Sequence, residues 1–294
     1  MKYKGLIRIE EKKMTELKWT DTQMRRFKEL GIVPGDVPSE AVTPELRNQC
    51  FQKIEKKKIK AEKQKLDTFL SNGGRVGLEQ LSETLTRELV RQGFVRVTTP
   101  LILSKSALVR MTIDESHPLF RQIYWINEKK CLRPMLAPNL YSLMIDFSRV
   151  RKGVTRFFEI GPCFRKESDG ARHNSEFTML NLVEMGLPMA DREDRIQELA
   201  TLVAESAGLT DYEFETESSE VYGSTLDIVA GPEKIEVASG AMGPHPLDAA
   251  WGFTDTWVGI GFGMERLLMT ANKSSTIGRW GKSLSFLDGI SLKI

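Results

Sequence analysis

The segment "FRKESDGARHNSEFTML", Phe164 to Leu180, sets Arg165 and Glu167 two residues apart before a polar turn and Phe177 after it. "RFFEIGPCFRKES" reads as a strand, "DGARHNS" as a loop and "EFTMLNLVEMG" as a returning strand. Strand side chains alternate, so Arg165 and Glu167 share one face and Lys166 takes the other. Phe177 can lie close to that pair. A guanidinium suits a phosphate, a carboxylate can accept from an exocyclic amine, and an aromatic ring can stack on a purine. Together these are the parts of an ATP clamp. A surface ion pair beside a core phenylalanine would use the same residues, so the stretch alone leaves both readings open.

Two other stretches could serve the same chemistry. In "GIGFGMERLL", residues 259–268, the glycines are spaced G-x-G-x-G, which is not the dinucleotide fingerprint. They stand where a strand meets a helix and would let a ligand approach the backbone. Arg266 falls in the first helical turn, where a cation is unfavourable unless an anion is near. In "IEVASGAMGP", Glu236 and Ser239 supply a carboxylate and a hydroxyl, hard oxygen ligands suited to Mg²⁺ shared with phosphate oxygens.

The elements that must position these residues can be traced along the 294-residue chain. Thr20 and Gln23 form a capping box for a first helix, which Gly31 ends. The Pro- and Gly-rich "GIVPGDVPSEAVTP" is a connector. A Lys-rich helix follows at about residues 44–70, and "SNGG" breaks the chain at 71–74. Leu78, Leu81, Leu85 and Leu89 make a helical stripe ending at Gly93. "FVRVTTPLIL" reads as a strand with Pro100 at its end or edge. "QIYWIN", "RFFEIGPCF", "FTMLNLVEMG", "YGSTLDIV", "KIEVASGAM" and "WVGIGFG" are further strands; helices are expected at 138–149, 191–207 and 263–272. Strands dominate the middle without regular alternation with helices. That predicts an α+β fold with a largely antiparallel sheet. The expected domains are residues 1–72, a basic helical region with 1–13 as an extension, and residues 73–294.

Composition narrows the class. The chain is 40% hydrophobic, and no run approaches the roughly 18 apolar residues of a membrane span. The N-terminus has no apolar signal region. Three dispersed cysteines, Cys50, Cys131 and Cys163, suggest neither a zinc site nor a disulfide framework, so a reducing cytoplasm is expected. Residues 1–70 hold 17 Lys and Arg against 11 Asp and Glu, whereas the rest holds 25 against 29. A basic head on an acidic body points to a polyanion partner.

In order, the helix, the strand ending in Pro, R-x-E with a following Phe, and the Gly-rich strand with its E-R resemble the three motifs of class II aminoacyl-tRNA synthetases. "LRPMLAPNLY", "IGPCFRKESDG", "EFTMLNLVEMG", "VYGSTLDI", "GPHPLDAAWG" and "GIGFGMERLL" narrow the resemblance to the pyrrolysyl-tRNA synthetase family over residues 76–294. The stretch from Trp19 is similar to forms lacking a separate N-terminal tRNA-binding domain.

The resemblance implies ATP as co-substrate and Mg²⁺ held by Glu236 and Ser239. Arg165 would bind the α-phosphate and the substrate carboxylate, Glu167 the adenine amine, and Phe177 one ring face. Arg266 would cover the other face, and His173 would touch the phosphates. The family's Leu-Glu after that histidine is replaced by Asn174-Ser175. Leu140, Tyr141, Met144, Val183, Tyr222, Trp257 and Gly259 would line a large apolar pocket, with Asn181 its polar exception, for pyrrolysine or an Nε-acyl lysine analogue. Arg25, Arg26, Lys53, Lys56, Lys57 and Lys60 would contact a tRNA with a CUA anticodon. The Leu78–Leu89 helix and the Pro100 strand would build a homodimer interface. A non-catalytic binding protein of the same fold, and a phenylalanine-type enzyme, are the alternatives; Asn181 would have no partner in a phenyl side chain.

Overall fold

The computed structural model describes residues 18–32, 43–166, 173–219 and 221–294. Glu167, the 1–13 extension and most of the first connector lie outside them. The described residues fall into two compact units: one comprises residues up to Gly74 together with Ile290–Ile294, the other Arg75–Gly289.

The first unit is built on α1 (Asp21–Glu29) and α2 (Pro44–Ser71). The capping box of α1 forms as the spacing predicts: Thr20 Oγ1 accepts from Gln23 N and Gln23 Oε1 from Thr20 N. Thr43 caps α2, with Pro44 at its first turn, where a missing N–H costs nothing. Phe27 meets Trp19 in a T-shaped contact and Phe51 at a tilt, with ring centroids 5.1 and 5.2 Å apart. Glu62 of α2 is fully buried and accepts the Ser291 N–H at 2.7 Å, so it holds the chain's last residues. Lys58 and Lys65 pair with it, and the backbone and lysine contacts outweigh its burial and lower its pKa.

The second unit opens with α3 (Gly77–Arg91), whose Leu81, Leu85 and Leu89 are buried. This leucine face packs inward against Phe158, Leu182, Val203 and Phe262. It is therefore core, and only the opposite side of the helix is open to a second copy. Each such leucine contributes roughly 1.5–3 kcal/mol by burial.

A seven-stranded sheet organises the unit. Its strands are β1 (Val95–Arg96), β5 (Thr155–Phe164), β6 (Glu176–Met185), β7 (Tyr212–Ser219), β8 (Gly223–Ala230), β9 (Ile235–Gly243) and β10 (Trp257–Gly263), in the order β1-β5-β6-β10-β9-β8-β7. Among the described residues of this sheet, only the β1–β5 pair is parallel. A small sheet holds β2 (Ile102–Ser104), β3 (Trp125–Asn127) and β4 (Lys130–Leu132). The helices are α4 (Lys105–Arg110), α5 (Ala137–Val150), α6 (Arg192–Ser206), α7 (Pro246–Trp251) and α8 (Met264–Ala271). The α+β class and the largely antiparallel sheet are as expected.

Three expectations need correction. "FVRVTTPLIL" is not one strand: β1 and β2 join different sheets, and side chains hold Thr99 and Pro100 in the stretch between them. Glu159 takes Thr99 N at 3.1 Å and Thr99 Oγ1 at 2.6 Å, and Asn139 donates to Pro100 O. "QIYWIN" is a strand only from Trp125, because Pro118 starts a 3₁₀ turn over Pro118–Gln122 capped by His117. Strand β7 was not anticipated: "YEFETESS" is an exposed edge whose charged residues hide the apolar signal.

Candidate active site

A cavity of about 300 Å³ opens on one face of the large sheet. It collects Arg165, His173, Phe177, Glu236, Ser239 and Arg266, and also Leu140, Tyr141, Met144, Asn181, Val183, Tyr222, Trp257 and Gly259. Among the predicted pocket and nucleotide residues, Glu167 alone lies outside the described residues.

Alternation explains much of the gathering. On β6, Phe177, Met179, Asn181 and Val183 face the cavity, while Leu180 and Leu182 are buried in the core beneath the sheet. On β10 the register pairs Gly259 with Val183 and Gly261 with Asn181. The G-x-G-x-G run is thus a period-two pattern: Val258, Ile260 and Phe262 fill the core, and glycines clear the other face. A Cβ on Gly261 would stand 3.0 Å from Asn181 Oδ1. Helix α5 adds Leu140, Tyr141 and Met144 from one side, as i, i+1 and i+4 spacing allows.

Glu236 and Ser239, three apart, should face opposite sides of a regular strand. The register slips between Ile228 and Val229: Ala238 pairs with Ile228, but Glu236 pairs with Val229. Val237 is the extra residue of a β-bulge, and the bulge turns Glu236 to Ser239's side. Partial burial raises the Glu236 carboxyl above the usual range; Arg266 opposes that shift and Asp227 adds to it. A carboxylate and a hydroxyl on one cavity wall fit a hard divalent cation.

Two arginines, a phenylalanine and a histidine converge at the other end. The Arg165 guanidinium lies 5.2 Å over the Phe177 ring and donates from Nε to Pro134 O at 2.9 Å. Arg266 reaches back from α8 to Glu236 O at 3.1 Å, with Glu236 Oε1 at 3.8 Å. His173 is exposed at the cavity edge, and Asn174 lines the cavity beside it. Lys166 points away and is exposed, 5.7 Å over Tyr124.

At the apolar end, Asn181 Oδ1 is buried with no hydrogen-bond partner among the described residues. A buried acceptor without a partner costs about 1–3 kcal/mol, so this atom is poised for a donor from a ligand. Tyr222 stands in the turn between β7 and β8, its N–H held by Ser219 Oγ at 3.1 Å and its ring edge-on to His245 at 5.5 Å. Burial pushes the Tyr222 phenol up, and does the same to Tyr141 with Tyr222 and Asp248 adding.

Sequence reasoning missed four supporting residues. Glu265, 1% exposed, accepts the Thr178 N–H. Asp248 is buried behind Tyr141 and Trp257. Arg133 and Glu159, both 1% exposed, pair at 2.8 Å, and the Arg133 guanidinium lies where a Cβ on Gly161 would be. Charged residues inside strand-like or helix-adjacent apolar stretches were the available signal.

Residues 78–224 match the family described as tRNA synthetases class II (D, K and N). Two solved pyrrolysyl-tRNA synthetase structures from Desulfitobacterium hafniense are 47% and 46% identical, with TM-scores of 0.87 and 0.85; each comparison covers 94% of this chain and 98% of the other. A lysine–tRNA ligase of Oceanobacillus iheyensis is 29% identical over 181 residues, and a heat-inducible one of Escherichia coli 28% over 180. These stretches are 61% and 60% of this chain, and the chain spans about a third of the length of those ligases, 31% and 30%. Among the described residues no helix is long and apolar enough to cross a membrane. With sheet order, cavity and these likenesses together, the chain belongs to the class II tRNA synthetases, in the pyrrolysyl-tRNA synthetase family.

Proposed function

We propose that the chain is a pyrrolysine–tRNA ligase. It activates pyrrolysine, or a lysine with a bulky Nε-acyl cap, with ATP and passes the aminoacyl group to the 3′-hydroxyl of a tRNA with a CUA anticodon. The observation that carries this reading is one continuous cavity with cationic and oxygen-ligand residues at one end and an apolar chamber holding the unpartnered Asn181 Oδ1 at the other.

Arg165 and Arg266 bind the phosphates and hold the α-phosphorus in line with the substrate carboxylate. No base is required, because that carboxylate is already ionised at neutral pH. Phe177 takes the adenine ring, with Glu167 at its exocyclic amine and His173 at the phosphates. Glu236 and Ser239 would hold Mg²⁺, which when bound would neutralise charge on the phosphate oxygens. Fixed cations aimed at developing charge are the main catalytic device here. Asn181 meets the amide of the substrate side chain through its carboxamide, and Leu140, Tyr141, Met144, Val183, Trp257 and Gly259 enclose the cap, with Tyr222 over the entrance.

Lys53, Lys56, Lys57 and Lys60 recur at i, i+3, i+4 and i+7 of α2 and are exposed, so they form one basic stripe for a tRNA backbone. Arg25 is exposed on α1, whereas Arg26 is engaged by Glu55 at 2.7 Å and Glu29 at 3.2 Å and is less available. The helical region up to residue 72 is the tRNA-contacting part. A homodimer is supported by exposed Val90, Val95, Leu101 and Ile102 on α3, β1 and β2 and the intervening segment. Free Cys50, Cys131 and Cys163 agree with a reducing cytoplasm.

ATP–pyrophosphate exchange across a panel of Nε-acyl lysines, followed by charging of a CUA-anticodon tRNA, tests the proposal. Exchange that depends on a bulky acyl lysine is expected. Binding of the tRNA with no exchange across the whole panel would instead favour a non-catalytic binding protein.

A further inference from the structure

Behind the apolar end of the cavity, polar atoms from α5, α7 and β10 are matched to one another. His245 Nδ1 accepts the Leu247 N–H at 3.1 Å, so its ring proton sits on Nε2. That nitrogen faces the Tyr141 hydroxyl at 3.3 Å, and the hydroxyl donates to Asp248 Oδ1 at 2.9 Å. Asp248 Oδ2 accepts the Trp257 Nε1–H at 3.0 Å and the His245 backbone N–H at 2.9 Å. Asp248 is 2% exposed. Tyr141 and Trp257 line the cavity, and Asp248 does not.

The ring of Tyr141 is held on its other sides too. Trp251 stacks on it at 5.2 Å with an interplanar angle of 15°, and Arg110 backs Trp251 at 5.3 Å. Trp257 meets Tyr141 edge-on at 5.7 Å. The two rings are thus fixed in orientation, and both of their donors point away from the chamber.

We propose that Asp248 is a positioning residue that sets amino-acid specificity: it draws the Tyr141 hydroxyl and the Trp257 indole N–H out of the pocket, so the substrate's cap meets ring carbon alone. This rests on the ligase reading above. The pocket then selects an apolar cap, because a polar cap would lose its water without finding a partner. Asn181 remains the place for the amide. Without Asp248, two buried donors have no acceptor and take one from the ligand or from water.

The test is ATP–pyrophosphate exchange with two Nε-alkoxycarbonyl lysines of matched shape, one with a cyclopentyl cap and one with the corresponding five-membered ring ether. Wild type favours the cyclopentyl derivative. Asp248→Ala lowers that preference by roughly tenfold, the rate equivalent of one freed buried donor. Its KM for the cyclopentyl derivative rises while its KM for ATP stays near the wild-type value. Asp248→Asn, which keeps the shape and one acceptor oxygen, gives a smaller shift in the same direction and decides the matter if the alanine variant does not fold. An unmoved cap preference in a folded variant overturns the inference, as does a parallel rise of both KM values at constant preference. Wild-type protein that exchanges with neither derivative overturns the ligase reading and this inference with it; wild-type exchange with an unmoved preference overturns this inference alone.

Discussion

Both carboxylate oxygens of Glu265 accept the Thr178 backbone N–H, at 2.8 and 2.9 Å, and so tie α8 to β6. Each partner is next in sequence to a cavity residue: Arg266 follows Glu265, and Phe177 precedes Thr178. Burial pushes the Glu265 carboxyl above the usual carboxylate range, with the Thr178 contacts opposing. A raised value in the folded state means the folded chain keeps this proton where the unfolded chain has released it. The group's contribution to stability therefore falls as pH rises through that interval. Urea unfolding of wild type and Glu265→Gln should show the wild-type chain losing ground to the variant from about pH 4.3, the ordinary glutamate value, upward. A pH-independent gap would contradict the assignment. Glu265→Ala, which strands the Thr178 N–H, should be destabilised by about 1–3 kcal/mol.

Arg165 is a proposed phosphate ligand at the cavity. Its guanidinium lies over Phe177, not inside the core, so removing it should leave the fold intact. Arg165→Ala is expected to lower adenylation by about 10²–10³-fold, the usual loss for one electrostatic donor, with circular dichroism unchanged. Near-normal exchange would refute the clamp.

The proposed metal role of Glu236 is read from the metal dependence. Chelation of Mg²⁺ should abolish exchange, and Glu236→Ala should require a higher Mg²⁺ concentration for half-maximal exchange. Wild-type metal dependence in that variant would remove Glu236 from the ligand set.

Asn181→Ala removes the buried oxygen that lacks a partner. Its kcat/KM for an Nε-acyl lysine should fall roughly 5–100-fold, the equivalent of one polar contact, and discrimination among derivatives should relax. Kinetics with the panel decide this; unchanged selectivity would exclude Asn181 from recognition.

The basic stripe should act on tRNA and not on adenylation. Lys56→Glu combined with Lys60→Glu is expected to weaken tRNA binding and to lower the slope of log affinity against log salt by about one for each phosphate no longer neutralised. Amino-acid-dependent exchange should be unchanged. A filter-binding salt series showing the wild-type slope would place the tRNA elsewhere.

Much of the fold is written in local patterns. The Thr20–Gln23 capping box, the Leu81, Leu85 and Leu89 stripe and the strand β10 each follow from spacing within a few residues, and all are present. What fails is telling. The stretch after Phe94 has strand-forming residues throughout, yet the buried Glu159 and Arg133 take hold of Thr99 and break it. No local pattern in residues 94–103 announces partners 60 and 34 positions away.

The same division applies to the site. Residue types alone determined the chemistry on offer: guanidinium and aromatic ring for a nucleotide, hard oxygens for a divalent cation, one amide in an apolar chamber. They also determined the two-residue alternation that puts Asn181, Gly261 and Val183 on one face. Only the tertiary structure decided that Glu236 and Ser239 face the same side, because their three-residue separation points them apart until the bulge at Val237 reverses one of them. Only the tertiary structure put Asp248 behind Tyr141 and Trp257, joining residues 107 and 9 positions apart in sequence. Strand register and the meeting of distant side chains depend on how whole elements pack, and that information is absent from any one stretch of the chain.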